Sequence, residues 1–227
     1  MSKRHPSSRR TSEPDDLFIA RVLNLGKWAE ANQQVITVAA VVLAIGVFGL
    51  ISWGNSRRSM NTAAAQQLEI VHQGIGIADL EGAKADLIRF LDQFGGSVYE
   101  GEARLLLGEL YLETDDPQQA LAVLAPLGSR PNDPIEFQGA ALLGAAYEQE
   151  RRWSDAVEIY LTIADRADLD FQVRDALAAA ARIRATQGDT EGAIALYQRV
   201  LAEFDENSPQ RGVYEMRIEE LRTAANT

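Results

Sequence analysis

The chain contains no cysteine and only two histidines among its 227 residues. Without cysteine there are no disulfides, no thiolate nucleophile and no lipid attached at a mature N-terminal cysteine. Either an oxidising or a reducing compartment is permitted. His5 and His72 are far apart in the chain. A transition-metal site therefore lacks enough nitrogen and sulfur ligands, and His72, on a predicted repeat helix, is expected to be an ordinary surface or groove histidine and not a catalytic base. Lysine is scarce as well, with three Lys against nineteen Arg. Gly74-Ile75-Gly76-Ile77 lacks the third glycine of a dinucleotide loop and follows a helical segment instead of a strand. These absences predict no cofactor, no metal and no enzymatic activity.

Charge is missing from one long stretch. Val35 to Trp53 reads VITVAAVVLAIGVFGLISW, nineteen residues without an ionisable side chain. At about 1.5 Å per residue a helix of that length covers roughly 28 Å, close to the hydrocarbon thickness of a bilayer. Uncharged sequence continues from Ala31 to Ser56, and Trp28 and Trp53 bracket the span as interfacial residues do. The stretch is longer than the apolar core of a secretory signal, and Arg57-Arg58 follows it in place of a small-residue cleavage site. The sequence therefore predicts an uncleaved transmembrane helix over residues 33–56. Six basic residues precede the span (Lys3, Arg4, Arg9, Arg10, Arg21, Lys27) and two follow it directly. That bias predicts a cytoplasmic N-terminus and an extracytoplasmic C-terminal domain.

Before the span, residues 1–15 are polar, basic and Ser-rich, the composition of a disordered tail. Over residues 16–32, Phe18, Val22, Leu25 and Ala29 fall at helical spacing. They predict an amphipathic juxtamembrane segment, or else a continuation of the membrane helix. Charge separates the two halves: residues 1–58 carry eight basic and four acidic side chains (+4), and residues 59–227 carry fourteen and twenty-nine (−15). An acidic domain of this kind repels nucleic-acid phosphates, so no nucleic acid is expected as a partner.

Residues 57–227 repeat themselves. Gly108-Glu-Leu-Tyr111 aligns with Gly144-Ala-Ala-Tyr147, and an alanine stands twelve residues after each glycine. Ala83, Ala120, Ala156 and Ala193 are spaced 37, 36 and 37, each followed four residues later by Leu87, Leu124, Tyr160 or Tyr197. Small residues at a helix crossing let two backbones approach, and the larger side chains fill the space beside them. Each such helix pair has an apolar face that only a neighbouring pair can bury. The pattern resembles the tetratricopeptide repeat. It predicts an all-α chain: one N-terminal transmembrane helix, then a right-handed solenoid of three to four helix pairs. A helix over 209–223 carrying Val213, Met216 and Leu221 is expected to cap the open end.

In this frame the first helix of each pair lines a concave surface. Its predicted inward residues are Glu102, Leu105, Glu109, Leu112 and Glu113, then Gln138 and Glu148, then Asp175 and Arg182. The surface is acidic with small apolar patches and suits a basic or amphipathic segment of another protein. A purely solvated face has the same composition.

The order of parts is similar to the YfgM-like tetratricopeptide membrane proteins. The residues that carry the resemblance are the basic tail, Trp28-Ala-Glu-Ala-Asn32 leading into the span, Trp53 with Arg57-Arg58 after it, and the repeats. It implies a bacterial inner-membrane protein, ancillary to the Sec translocon, with its repeat domain in the periplasm. The partners it implies are Sec translocon subunits, a periplasmic chaperone and unfolded client segments, with the lipid bilayer around the span. An envelope scaffold for cell division or cell-wall assembly is the alternative. Neither fixes the oligomeric state.

Overall fold

The computed structural model describes residues 32–225. Among these residues there are nine α-helices and no strand. The chain divides into two compact units, Met1–Arg58 and Ser59–Thr227. The basic tail and nearly all of the juxtamembrane segment lie outside the described residues.

Helix α1 (Gln33–Gly76) begins in the first unit. Val35, Phe48 and Ile51 are 65%, 73% and 66% exposed. Among the described residues this is the one helix long and apolar enough to cross a membrane. Within it the Thr37 hydroxyl is satisfied internally, Oγ1 donating to the Gln33 carbonyl at 2.8 Å. The Arg57 guanidinium lies 5.0 Å from the centre of the Trp53 ring, a cation–π contact suited to an interfacial tryptophan.

The second unit holds four helix pairs and a cap. The pairs are the latter part of α1 with α2 (Leu80–Phe94), α3 (Glu100–Glu113) with α4 (Pro117–Gly128), α5 (Pro134–Gln149) with α6 (Trp153–Arg166), and α7 (Asp170–Thr186) with α8 (Thr190–Ala202). Helix α9 (Arg211–Ala225) closes the end. The four repeated alanines, Ala83, Ala120, Ala156 and Ala193, are all buried. The first-helix glycines face the residues four positions beyond these alanines: a Cβ on Gly108 would lie 2.5 Å from the Leu124 side chain, and one on Gly144 would lie 2.7 Å from the Tyr160 ring. Leu124 and Tyr160 are the fillers expected from the 36-residue frame. Ala181 takes the glycine's place in the fourth pair and is fully buried.

Within every pair the turn is built the same way. Ala78, Asp115, Arg151 and Gly188 all have positive φ (60°, 54°, 57° and 82°) and stand five residues before the repeated alanines. The N–H that follows each one reaches back to the first helix: Asp79 to Gly74, Asp116 to Tyr111, Arg152 to Tyr147 and Asp189 to Arg184. This is the six-to-one closure of a left-handed helix C-cap. Asp79, Asp116 and Asp189 then cap the second helix, accepting from the N–H of Gly82, Gln119 and Gly192. Between pairs, Asp133 caps α5 with Pro134 at its first turn.

Three clusters of buried apolar side chains run along the solenoid. The first joins Ala64, Leu68 and Val71 of α1 to Leu87 and Phe90 of α2 and Leu107 of α3. The second joins α3, α4 and α5. The third runs from α5 to α9. The cap differs from the sequence expectation in its facing stripe. Ile218 is buried, with Tyr214 and Leu221 packed beside it, whereas Val213 and Met216 are about half exposed. The packing stripe is Tyr214-Ile218-Leu221 because α9 turns its aromatic residue onto Tyr197 and Phe204.

Candidate functional site

The first helices α3, α5 and α7 carry the nine residues expected on the concave surface. Leu105 is 7% exposed and belongs to the core with Leu124 and Leu143, so it supports the surface from beneath. Leu112 is half-buried in the same cluster. The polar seven reach solvent to differing degrees, and the fold brings them together in separate groups.

Glu148 and Arg182 meet between adjacent repeats, with Arg182 Nη2 2.7 Å from Glu148 Oε2. The Tyr160 hydroxyl donates to the other carboxylate oxygen at 2.9 Å. Tyr160 is 7% exposed. Burial raises its phenol well above the ordinary tyrosine value, the facing Glu148 carboxylate raises it further, and Arg182 partly opposes both. Glu148 is therefore paired within its own chain. Glu102 reaches His72 of α1 at 3.3 Å, so the first and second repeats are also bridged.

Among the described residues Glu109 has no cation opposite it, and burial raises its carboxyl above the usual range. Glu113 is exposed on the next turn. Gln138 and Asp175 line one pocket of about 210 Å³ together with Phe137, Ala141, Tyr160, Ile163 and Phe171. Phe171 stands 53% exposed at its edge. Sequence reasoning placed Gln138 and Asp175 on this surface and overlooked the two phenylalanines. Their signal was present, since Phe137 and Phe171 follow Asp133 and Leu169 at the openings of α5 and α7, where only polar residues are needed.

A second cleft lies on the other side of α5. Glu100, Glu102, Asp133 and Glu136 border it with Arg104, Ser97, Leu127 and Ile135. Glu100 accepts the Gly96 N–H at 2.6 Å and pairs with Arg104 at 2.9 Å. These contacts, the backbone bond foremost, hold its carboxyl below the usual range. No three of the described His, Asp or Glu side chains are grouped to hold a metal ion. The surface presents charged, apolar and amide groups side by side.

Comparison with known proteins agrees with this geometry. The profile of the tetratricopeptide repeat-like domain matches residues 26–223. No curated protein sequence matches the chain. Among solved structures, one similar fold is a Podosopora anserina protein of nearly identical TPR-like repeats, provisionally named a kinesin light chain. It is 16% identical with a TM-score of 0.55, over 71% of this chain and 86% of that one. Another is MamA (residues 41 to the end) from Desulfovibrio magneticus RS-1, 18% identical with a TM-score of 0.53, over 72% of this chain and 89% of that one. At such identities the likeness is one of fold.

Proposed function

The chain belongs to the tetratricopeptide repeat-like domain family, and on that premise we propose that it is a membrane-anchored protein–protein interaction module of the bacterial inner membrane. In this reading residues 33–56 cross the bilayer and residues 57–227 form the periplasmic repeat domain. The protein acts there as an ancillary subunit of the translocon and its chaperone network during protein export. One observation carries the proposal: an acidic repeat domain of net −15 follows on a helix whose apolar side chains are exposed over residues 35–53. Such a helix is stable in lipid and costly in water. The repeat domain supplies a surface that offers unpaired carboxylates such as Glu109 and Glu113 to a basic or amphipathic segment.

Cross-linking in intact membranes, followed by purification and identification of neighbours, tests this role. Sec channel subunits together with a periplasmic folding factor are the expected partners. Division or wall-synthesis proteins in the absence of the channel would replace the reading by an envelope scaffold. A reporter fused after Thr227 that is active only in the cytoplasm would overturn the topology.

A further inference from the structure

The two clefts beside α5 are the same place in successive repeats. Moving 36 residues along the chain carries Gly101, Glu102, Leu127, Ile135 and Glu136 of the first onto Phe137, Gln138, Ile163, Phe171 and Gln172 of the second. At equivalent positions two glutamates have become glutamines, and a glycine and an isoleucine have become phenylalanines. One architecture therefore presents an acidic seat and then an aromatic one.

The acidic seat retains charge. Arg104 is committed to Glu100 at 2.9 Å and to the Val123 carbonyl. Glu136 and Asp133 accept only backbone N–H groups, from Asn132 and Glu136 respectively. Among the described residues Glu102 has only His72. Four carboxylates thus share one guanidinium, and they are too dispersed to hold a metal ion. Ser97 borders the cleft, is 8% exposed, and its hydroxyl oxygen is buried without a hydrogen-bond partner. A buried hydroxyl of this kind costs stability until a donor reaches it. A long, flexible cation with several N–H donors satisfies both features.

The aromatic seat holds about 210 Å³ between Phe137, Ile163 and Phe171. A closed apolar cavity of about 150 Å³ already accommodates benzene. Gln138, Gln172 and Asp175 at its border supply groups for the backbone of an extended strand.

We propose that these clefts together read an extended segment of a partner protein that carries a lysine or arginine and, about three residues away, an aromatic side chain. The spacing follows from α5, which separates the clefts: Ile135 and Glu136 face one, and Phe137, Gln138 and Ala141 face the other. A helix with its side chains is about 10 Å across, and an extended chain covers that in about three residues at roughly 3.3 Å each. The inference rests on the interaction-module reading and specifies the chemistry of the partner.

The test uses the full chain in detergent and three fluorescent Gly/Ser-based decapeptides, read by anisotropy. One carries Lys and Phe three residues apart, one has Glu for Lys, and one has Ser for Phe. Each replacement should weaken binding by about tenfold or more. Phe171→Ser should erase the advantage of Phe, and Glu102→Gln should reduce that of Lys, with unchanged circular dichroism in both variants. Equal affinity for the three peptides, or a Phe advantage that survives Phe171→Ser, overturns the proposal. If the Lys–Phe peptide fails to bind while membrane cross-linking still recovers protein partners, this inference falls and the interaction-module reading stands. If cross-linking recovers no partner either, that reading falls too.

Discussion

Gly144 on α5 meets the ring of Tyr160 on α6 so closely that a methyl group on the glycine would lie 2.7 Å from the phenol carbons. The ring has little freedom to withdraw, because its hydroxyl is tied to Glu148 at 2.9 Å and its body is buried. Gly144→Ala should therefore destabilise the repeat domain by about 1–3 kcal/mol, the usual cost of overpacking. For a domain of this size that corresponds to roughly 2–4 °C of melting temperature per kcal/mol. Thermal unfolding followed by circular dichroism checks it. An unchanged midpoint would mean that the helix pair slides to make room.

Much of this fold can be read in the sequence because its packing constraint repeats. The 37, 36 and 37 spacing of the buried alanines and the glycine-to-filler pairing are local patterns that recur. Orientation on the end helix was less legible. Val213 and Met216 are as apolar as Tyr214 and Ile218, and only the aromatic cluster with Tyr197 and Phe204 decides which stripe faces inward. On the candidate surface the acidic positions could be read from the frame. The Glu148–Arg182 link could not, because it joins residues 34 apart whose side chains meet only when the repeats stack.

The turn within each pair offers a way to stabilise the chain. Arg151 takes φ 57° where the fourth repeat has Gly188. A non-glycine residue in that region costs about 1–2 kcal/mol, and glycine gives back roughly 0.5–1 of that through its greater unfolded entropy. Arg151→Gly should thus stabilise by about 0.5–1 kcal/mol, with Asp115→Gly gaining less because aspartate tolerates the left-handed region better. Denaturant midpoints at constant slope provide the measurement. A loss of stability in Arg151→Gly would show that its side chain contributes more than the backbone strain costs.

Acid should weaken the domain partly through Glu100. Its folded carboxyl is held below the ordinary glutamate value by the Gly96 N–H and then by Arg104. The stabilisation is therefore complete above the unfolded value of about 4.3 and is lost as pH falls through the folded one. Glu100→Gln should lower stability at neutral pH and flatten the acid limb of a stability–pH curve. Parallel curves for the two proteins across that range would contradict the assignment.

Glu109 has the opposite sign. Burial without a cation raises its folded carboxyl, so its ionisation opposes folding. The penalty is absent below the unfolded value of about 4.3, grows as pH rises towards the folded value, and stays constant above it. Glu109→Gln should accordingly raise stability slightly at neutral pH, by less than about 0.5 kcal/mol for so exposed a group, and leave it unchanged in acid. The same substitution should weaken capture of a basic partner segment. A residue kept only for solubility would show the pH-dependent gain without the lost binding. A residue retained for contact shows both, because the unpaired charge that burdens the folded state is the one a partner's cation would neutralise. Melting curves at neutral and acid pH, together with cross-linking yield for Glu109→Gln against the parent chain, separate the two.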